Sequence, residues 1–126
     1  MQSKNISKES FNIRIKEFVL RLIRFLECLP DNSTYRVIKA QLLRSGSSIG
    51  ANYFESRAAS SKNDFTNFFN HSLKSANETM FWIEILIDLD QAKSEQAKLL
   101  LQEANEIANI FASSILTLKG KRTIHF

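Results

Sequence analysis

The side chains of this chain that could carry out chemistry are few, and their spacing does not suit catalysis. A zinc site needs four Cys, His or carboxylate ligands, and a di-iron bundle needs Glu-x-x-His on two helices. The chain has one cysteine, Cys28, and two histidines, His71 and His125, and neither histidine follows a glutamate by three positions. Ser47 and Ser48 have no nearby histidine that could act as a base. We therefore expect no metal, no cofactor and no enzymatic activity.

The segment over residues 41–64, QLLRSGSSIGANYFESRAASSKND, places glycines and serines within an otherwise apolar stripe. Gly46 and Gly50 each cost a helix about 1 kcal/mol relative to alanine. They do not form a phosphate-binding loop, because the Lys-Ser/Thr pair that follows such a loop and the strand that precedes it are missing. Small residues four positions apart more often let two helices approach closely. We therefore predict a close helix contact at Gly46 and Gly50.

Polar residues recur at helical spacing beside the same apolar stripe. A buried polar group without a partner costs about 1–3 kcal/mol, so these side chains should bond to one another if they are buried. The predicted polar network consists of Ser45, Ser48, Asn52 and Glu55 of the second helix, with Glu78 and Thr79 of the third helix as their partners. The alternative interpretation is a polar binding groove lined by the same residues.

Apolar residues spaced alternately three and four positions apart predict four amphipathic helices. The stripe of the first helix consists of Phe11, Ile15, Phe18, Leu22, Phe25 and Leu29. The four predicted helices cover about residues 11–29, 34–59, 62–89 and 95–119. Because the connections are short, the sequence predicts one all-α domain over residues 1–126, an antiparallel up-down-up-down four-helix bundle. The apolar stripes of the first and third helices are too broad for one core, which predicts a homo-oligomer.

The beginnings of the second and third helices carry capping signals. Ser33 or Thr34 is the expected N-cap of the second helix. Ser61 and Asp64 form a capping box for the third helix, because each side chain can satisfy a free backbone N–H group. The glycines of the second helix allow an alternative, in which that helix breaks within residues 46–50.

The charge of the chain is uneven along its length. Residues 1–57 carry 10 Lys/Arg and 5 Asp/Glu, whereas residues 58–126 carry 7 and 8. A basic half indicates an anionic partner such as RNA or DNA. The candidate nucleic-acid-binding residues are Arg14, Arg21, Arg24, Arg36, Lys39 and Arg44. For Arg44 the alternative is an internal ion pair with Glu55 or Glu78.

The remaining composition predicts a cytoplasmic protein outside the membrane. The single cysteine excludes an internal disulfide and suits a reducing compartment. No apolar run approaches the roughly 18 residues that span a bilayer. The N-terminal residues MQSKNISKES lack the apolar core of a signal peptide.

Two segments, RSGSSIGANYFESRAASSKNDF at 44–65 and LKSANETMFWIEIL at 73–86, carry a family resemblance. They follow the pattern Arg-Ser-Gly-x-Ser-Ile-Gly-Ala-Asn, then Glu, then Ser-x-x-Asp-Phe, then Glu-Thr-x-x-Trp. The matching residues are Arg44, Ser45, Gly46, Ser48, Ile49, Gly50, Ala51, Asn52, Glu55, Ser61, Asp64, Phe65, Glu78, Thr79 and Trp82. The chain thereby resembles the four-helix-bundle family of proteins encoded by intervening sequences of bacterial large-subunit ribosomal RNA genes. The chain departs from the family at Ser56, Ser75 and Phe81, where the resemblance leads us to expect alanine, glutamate and tyrosine.

The resemblance implies a ring-like homo-oligomer, with a pentamer as the expected assembly. It also implies likeness to the accessory proteins of diversity-generating retroelements, which contact nucleic acid and a reverse transcriptase. No enzymatic activity is established for the family. We therefore predict a non-enzymatic oligomer that binds RNA or DNA through its basic first half. The alternative is a protein-interaction scaffold without a nucleic-acid partner of its own.

Overall fold

The computed structural model describes residues 8–89 and 93–120, and these residues form four helices. The helices are α1 (Lys8–Glu27), α2 (Ser33–Glu55), α3 (Lys62–Leu89) and α4 (Ser94–Leu118), and a 3-10 turn over Ser56–Ala58 follows α2. Each helix packs on the next one, and α1 packs on α4, so that the four helices enclose one core. The predicted all-α four-helix bundle is confirmed.

Hydrogen bonds between α2 and α3 show that these helices run in opposite directions. The hydroxyl of Ser72 donates to the carbonyl oxygen of Ile49. Further along α3, the hydroxyl of Thr79 is bonded to that of Ser45, which lies earlier in α2. A later residue of α3 therefore meets an earlier residue of α2, as an antiparallel pair requires.

An aromatic cluster joins all four helices at one end of the core. Neighbouring rings in this cluster have centroids 5.0 to 5.9 Å apart. Its members are Phe11 of α1, Tyr53 of α2, Phe69 of α3 and Phe111 of α4. Edge-to-face ring pairs of this kind add about 0.5–1.5 kcal/mol beyond the burial of their area. Burial also raises the pKa of the Tyr53 hydroxyl, because the tyrosinate form would lose hydration there.

The apolar stripe of α1 faces this core. Its six predicted members, from Phe11 to Leu29, are each at most 6% exposed. Burying one such side chain completely stabilises the fold by about 1.5–3 kcal/mol. The stripe therefore positions α1 against the other three helices and leaves its opposite face open to solvent.

The ends of α1 differ from the prediction. The helix already includes Lys8, the first described residue and three residues before the predicted start, and it ends at Glu27 rather than at residue 29. The N–H groups of Cys28 and Leu29 bond to carbonyl oxygens three residues earlier, at 3.1 and 3.2 Å, so the last turn tightens before Pro30. The α-helix therefore ends three residues before Pro30.

The two ends of α2 also differ from the prediction. Its N-cap is Asn32, whose side-chain oxygen accepts the N–H of Tyr35 at 2.9 Å, rather than Ser33 or Thr34. The predicted extension to residue 59 is wrong, because the α-helix ends at Glu55. There the hydroxyl of Ser56 donates to the carbonyl of Tyr53 at 2.6 Å, and side-chain bonds of this kind compete with regular helix bonding. The alternative break within residues 46–50 does not occur.

The capping box at the start of α3 forms with one change of partner. The hydroxyl of Ser61 accepts the N–H of Asp64 at 3.0 Å, as the sequence predicts. In return, the carboxylate of Asp64 accepts the N–H of Ser60 at 2.9 Å, rather than that of Ser61. These two bonds hold residues 60 and 61 against the first turn of α3.

Candidate interaction surfaces

Gly46 and Gly50 lie on the side of α2 that faces α1. A Cβ atom added to Gly46 would overlap the Cδ2 methyl group of Leu22, which is fully buried. A Cβ atom added to Gly50 would lie 3.1 Å from the Cγ2 atom of Ile15, which is tighter than ordinary van der Waals contact. The two glycines therefore occupy the crossing between α1 and α2, where larger side chains do not fit without movement.

A groove of about 1330 Å³ lies between α1 and α2 and extends to the 3-10 turn; we call it the α1–α2 groove. Three large apolar side chains that line it are about half exposed, namely Ile13 at 52%, Leu20 at 47% and Phe54 at 58%. The charged residues that line it are Lys8, Glu9, Lys16 and Arg57. The guanidinium of Arg57 lies 4.8 Å from the centre of the Phe54 ring. The groove is therefore an apolar concave surface with more positive than negative charge around it.

On the other side of α2, three residues of the family pattern meet at the contact with α3. The guanidinium of Arg44 pairs with the carboxylate of Glu78 and also donates to the amide oxygen of Gln41 at 2.8 Å. The indole N–H of Trp82 donates to the same Glu78 carboxylate at 3.3 Å. Glu55 and Glu78 were the alternative internal partners expected for Arg44, and the structure shows the contact with Glu78. The carboxylate of Glu78 therefore contacts both the guanidinium of Arg44 and the indole N–H of Trp82.

Buried hydroxyl groups connect α2 to α3 beneath that ion pair. Ser45 and Thr79 are fully buried, and their hydroxyl oxygens are 2.9 Å apart in a hydrogen bond. Ser72 is also fully buried and bonds to the backbone of α2, as described above. Within residues 8–89 and 93–120, no buried side-chain nitrogen or oxygen lacks a hydrogen-bond partner. These hydroxyls are thus occupied by bonds between helices and do not line an open cavity.

The other members of the predicted polar network bond locally or lie apart from it. The hydroxyl of Ser48 donates to the carbonyl of Arg44 at 2.7 Å, and the amide of Asn52 donates to the carbonyl of Ser48 at 2.9 Å. Glu55 is exposed at the end of α2, ten residues beyond Ser45. The predicted network did not include Ser72, which also bonds across α2 and α3. Its place on the apolar stripe of α3 indicated burial.

Arg14 is held by two carboxylates of α4. Its Nε atom lies 2.7 Å from Oε2 of Glu103, and its Nη2 atom lies 2.8 Å from Oε1 of the same residue and 2.5 Å from Oε1 of Glu106. The hydrogen bonds with Glu103 raise the pKa of the Arg14 guanidinium above its ordinary value, against a smaller opposing effect of burial. A guanidinium in this position joins α1 to α4 and is not available to a phosphate.

The remaining basic candidates divide into engaged and open side chains. Arg36 forms an exposed ion pair with Asp31 at 2.8 Å. Lys39 donates to the carbonyl oxygen of Leu29 at 3.3 Å. Arg21 and Arg24 are exposed on α1, and neither forms an ion pair with any other residue that the structure describes. These two are the open cations of the candidate set.

The described part of the chain offers no cluster of metal ligands and no helix that could span a membrane. No group of three or more His, Cys, Asp or Glu residues in residues 8–89 and 93–120 could hold a metal ion. None of the described helices is both long enough and apolar enough to cross a membrane. Cys28 is exposed just after α1, and His125 lies outside the described residues.

The sequence over residues 11–113 matches the family of 23S rRNA-intervening sequence proteins. That match covers most of the chain. The chain belongs to this family. It is also similar, at 36% sequence identity, to the crystal structure of a protein of unknown function from the S23 ribosomal protein family of Bacteroides thetaiotaomicron, with a TM-score of 0.76 over 82% of this chain and 96% of that chain. A comparison with curated proteins finds no match.

The residues that carry the resemblance pack the helices of this intervening-sequence protein together. Gly46 and Gly50 lie at the crossing with α1, and Ser45 and Thr79 bond across α2 and α3. Ser61 caps α3. These motif positions therefore have structural roles in this member of the family.

Proposed function

We propose that this 23S rRNA-intervening sequence protein is a non-enzymatic scaffold that assembles with copies of itself. The observation that carries the proposal is the α1–α2 groove, in which Ile13, Leu20 and Phe54 are about half exposed around one concave apolar surface. Single exposed apolar side chains are ordinary on soluble proteins. Large ones gathered around a concavity are typical of a protein-binding surface.

The absence of catalysis in this proposal is supported by how the polar groups are used. The buried hydroxyls of Ser45, Ser72 and Thr79 are bonded between helices. The carboxylates of Glu78 and Glu103 are paired with arginines. Covalent catalysis needs a nucleophile within hydrogen-bond reach of a base. The hydroxyl of Ser60 does donate to the carboxylate of Asp64 at 3.2 Å, but that carboxylate also accepts the N–H of Ser60, so the pair serves as a cap at the start of α3.

Self-assembly is tested by measuring mass in solution. A stable interface buries about 800 Å² on each partner, so wild type at micromolar concentration should exceed the mass of one 14.5 kDa chain. The pentamer implied by the resemblance has about five times that mass. Replacing Leu20 and Phe54 together with lysine should lower the mass to that of one chain, because buried lysines would need partners that the groove does not offer.

The control for this test is the pair Leu99 and Leu116 on α4, which are similarly exposed, at 55% and 45%, but do not line the groove. Their replacement with lysine should leave the mass of the assembly unchanged. Circular dichroism should show that all variants remain helical. A wild-type protein with the mass of a single chain in analytical ultracentrifugation is the result that contradicts the proposal.

Nucleic-acid binding is the second candidate function. The observation that favours it is the pair Arg21 and Arg24, which stay exposed on α1 and form no ion pair within the described chain. The net charge of +4 adds a weak attraction for phosphates. Four of the six basic candidates already bond to other residues of the same chain. Nucleic-acid binding therefore has less support from the geometry than self-assembly has.

A further inference from the structure

A second exposed apolar surface lies on the C-terminal part of α3. Phe81 and Leu89 are 52% and 51% exposed, and Trp82 and Ile85 between them are partly buried. Residues 81–89 contain two acidic side chains, Glu84 and Asp88, and no lysine or arginine. We call residues 81–89 the α3 ridge. It is an exposed apolar surface whose own charged residues are both acidic.

Val37 of α2 extends the α3 ridge. Val37 is 59% exposed and precedes Arg44 by seven residues, which is about two helical turns. Ile85 follows Glu78 by the same number of residues. Because Arg44 contacts Glu78 and the two helices are antiparallel, Val37 and Ile85 lie at the same level of the bundle.

The α1–α2 groove and the α3 ridge lie on different sides of α2 and toward opposite ends of the bundle. The part of α2 that lines the groove, at Gly50 and Phe54, belongs to its C-terminal half. The ridge lies beside the N-terminal half of α2, as the level of Val37 shows. A single chain cannot bring its own ridge to its own groove, but two copies of the chain can.

We propose that the α3 ridge of one copy docks into the α1–α2 groove of a second copy. This inference rests on the proposed self-assembly and names the two surfaces that meet. Both surfaces are apolar, and their charges are complementary, since the groove has Lys8, Lys16 and Arg57 against Glu9 alone, whereas the ridge has only Glu84 and Asp88. Two grooves or two ridges facing each other would bring like charges together, which opposes association.

The lengths of the two surfaces are compatible. The nine residues of the α3 ridge extend about 12 Å along the helix axis. The wall of the groove on α1, from Lys8 to Leu20, extends about 18 Å by the same rise per residue. The ridge is therefore shorter than the groove along the helix axis.

Docking of two unlike surfaces has a consequence for symmetry. Each copy has one groove and one ridge, so a copy that receives a ridge still offers its own ridge to the next copy. Such a heterologous contact repeats until it closes into a ring, or continues as an open chain. An interface of groove with groove would instead stop at two copies.

The experiment mixes two variants of the full chain that are each blocked on one surface. The groove variant is Leu20→Lys with Phe54→Lys, and the ridge variant is Phe81→Lys with Leu89→Lys. Alone, each variant should have the mass of one chain, because every copy of it lacks the same one of the two surfaces that must meet. Mixed in equal amounts, they should form a complex of two chains, in which the intact ridge of one occupies the intact groove of the other. The Leu99→Lys, Leu116→Lys control should assemble like wild type.

Three outcomes separate this inference from the proposed function. A ridge variant that assembles like wild type, or a mixture that contains only single chains, overturns the docking of ridge into groove while self-assembly stands. A wild-type protein that is a single chain overturns self-assembly itself.

A milder variant, Glu84→Lys with Asp88→Lys, leaves the apolar residues in place and should weaken assembly at least about tenfold, because it removes the charge complementarity. Unchanged assembly of that variant contradicts the choice of surfaces made on charge.

Discussion

The arginine side chains of this chain differ in what they contact, and that difference decides what each can do. Arg14 forms a two-pronged hydrogen bond with Glu103 and a further bond with Glu106, and its side chain is only 31% exposed. Arg36 pairs with Asp31 in an arrangement that leaves both side chains about two-thirds exposed or more. The first pair fixes two helices to each other, whereas the second lies at a loop in contact with water.

This difference predicts unequal effects on stability. Replacing Arg14 with alanine should lower the free energy of unfolding by about 1–2 kcal/mol, because it leaves the partly buried Glu103 without its partner. Replacing it with lysine should recover little of that loss, since an ammonium group cannot reproduce the planar fork. Replacing Arg36 with alanine should cost less than about 0.5 kcal/mol. Urea unfolding at one fixed protein concentration measures all three, and equal losses for Arg14→Ala and Arg36→Ala would contradict the assigned role of Arg14.

The sequence predicts the partners of individual side chains less well than it predicts the fold. The basic residues of the first half are visible in the sequence, but their partners are not, because Glu103 is 89 residues away from Arg14 along the chain. Arg44 is the partial exception, since Glu78 was one of its two expected partners. The buried hydroxyl pair Ser45 and Thr79 was also visible, because both residues lie on apolar stripes at helical spacing.

At the scale of the helices, close packing accounts for the glycines within α2. Gly46 contributes no side chain, yet α2 continues through it without a break. The fully buried Leu22 of α1 occupies the space where its Cβ would be. The conformational cost of glycine in α2 is therefore offset by the approach of α1.

Replacing Gly46 with alanine should destabilise the protein. The overlap with Leu22 costs about 1–3 kcal/mol, which exceeds the gain of about 1 kcal/mol in helix propensity. In a Leu22→Ala background the same change should be neutral or stabilising, because the space is then free. Gly50→Ala serves as the comparison and should cost less, since its Cβ would lie 3.1 Å from Ile15.

Thermal or urea unfolding of the four combinations of Gly46→Ala and Leu22→Ala gives the coupling between the two sites. Additive effects in this cycle would mean that Gly46 does not contact Leu22. A Gly46→Ala variant that unfolds at a higher temperature than wild type would show that helix propensity outweighs the contact.

The ends of the helices were harder to predict than their faces, for a physical reason. The faces follow from apolar spacing over five or six turns, so one ambiguous residue does not change the result. Each end depends on one or two hydrogen bonds, such as the side chain of Asn32 at the start of α2 or that of Ser56 at its end. Neighbouring residues could form equivalent bonds, and the sequence alone does not rank them.

At the scale of the whole molecule, the open surfaces are of two kinds. The α1–α2 groove and the α3 ridge are apolar and suit a protein partner, and we propose a second copy for both. Arg21 and Arg24 are exposed on α1 and are not among the residues that line the groove. An assembly that uses the groove and the ridge therefore leaves these cations open in every copy, and their repetition would strengthen a weak attraction for nucleic acid.

RNA or DNA binding through these cations should depend steeply on salt, because it releases counterions from phosphates. Wild type should bind a single-stranded RNA or a DNA duplex at about 50 mM salt and lose most of that affinity at about 200 mM. An Arg21→Ala, Arg24→Ala variant should bind more weakly, with a smaller dependence on salt, because each lost phosphate contact lowers the slope by about one. Arg36→Ala is the matched control and should bind like wild type, since its guanidinium is already paired with Asp31. Fluorescence anisotropy at both salt concentrations measures these affinities. If wild type does not bind at the lower concentration, or if the double variant binds equally well, the cations of α1 do not contact nucleic acid and the scaffold function stands alone.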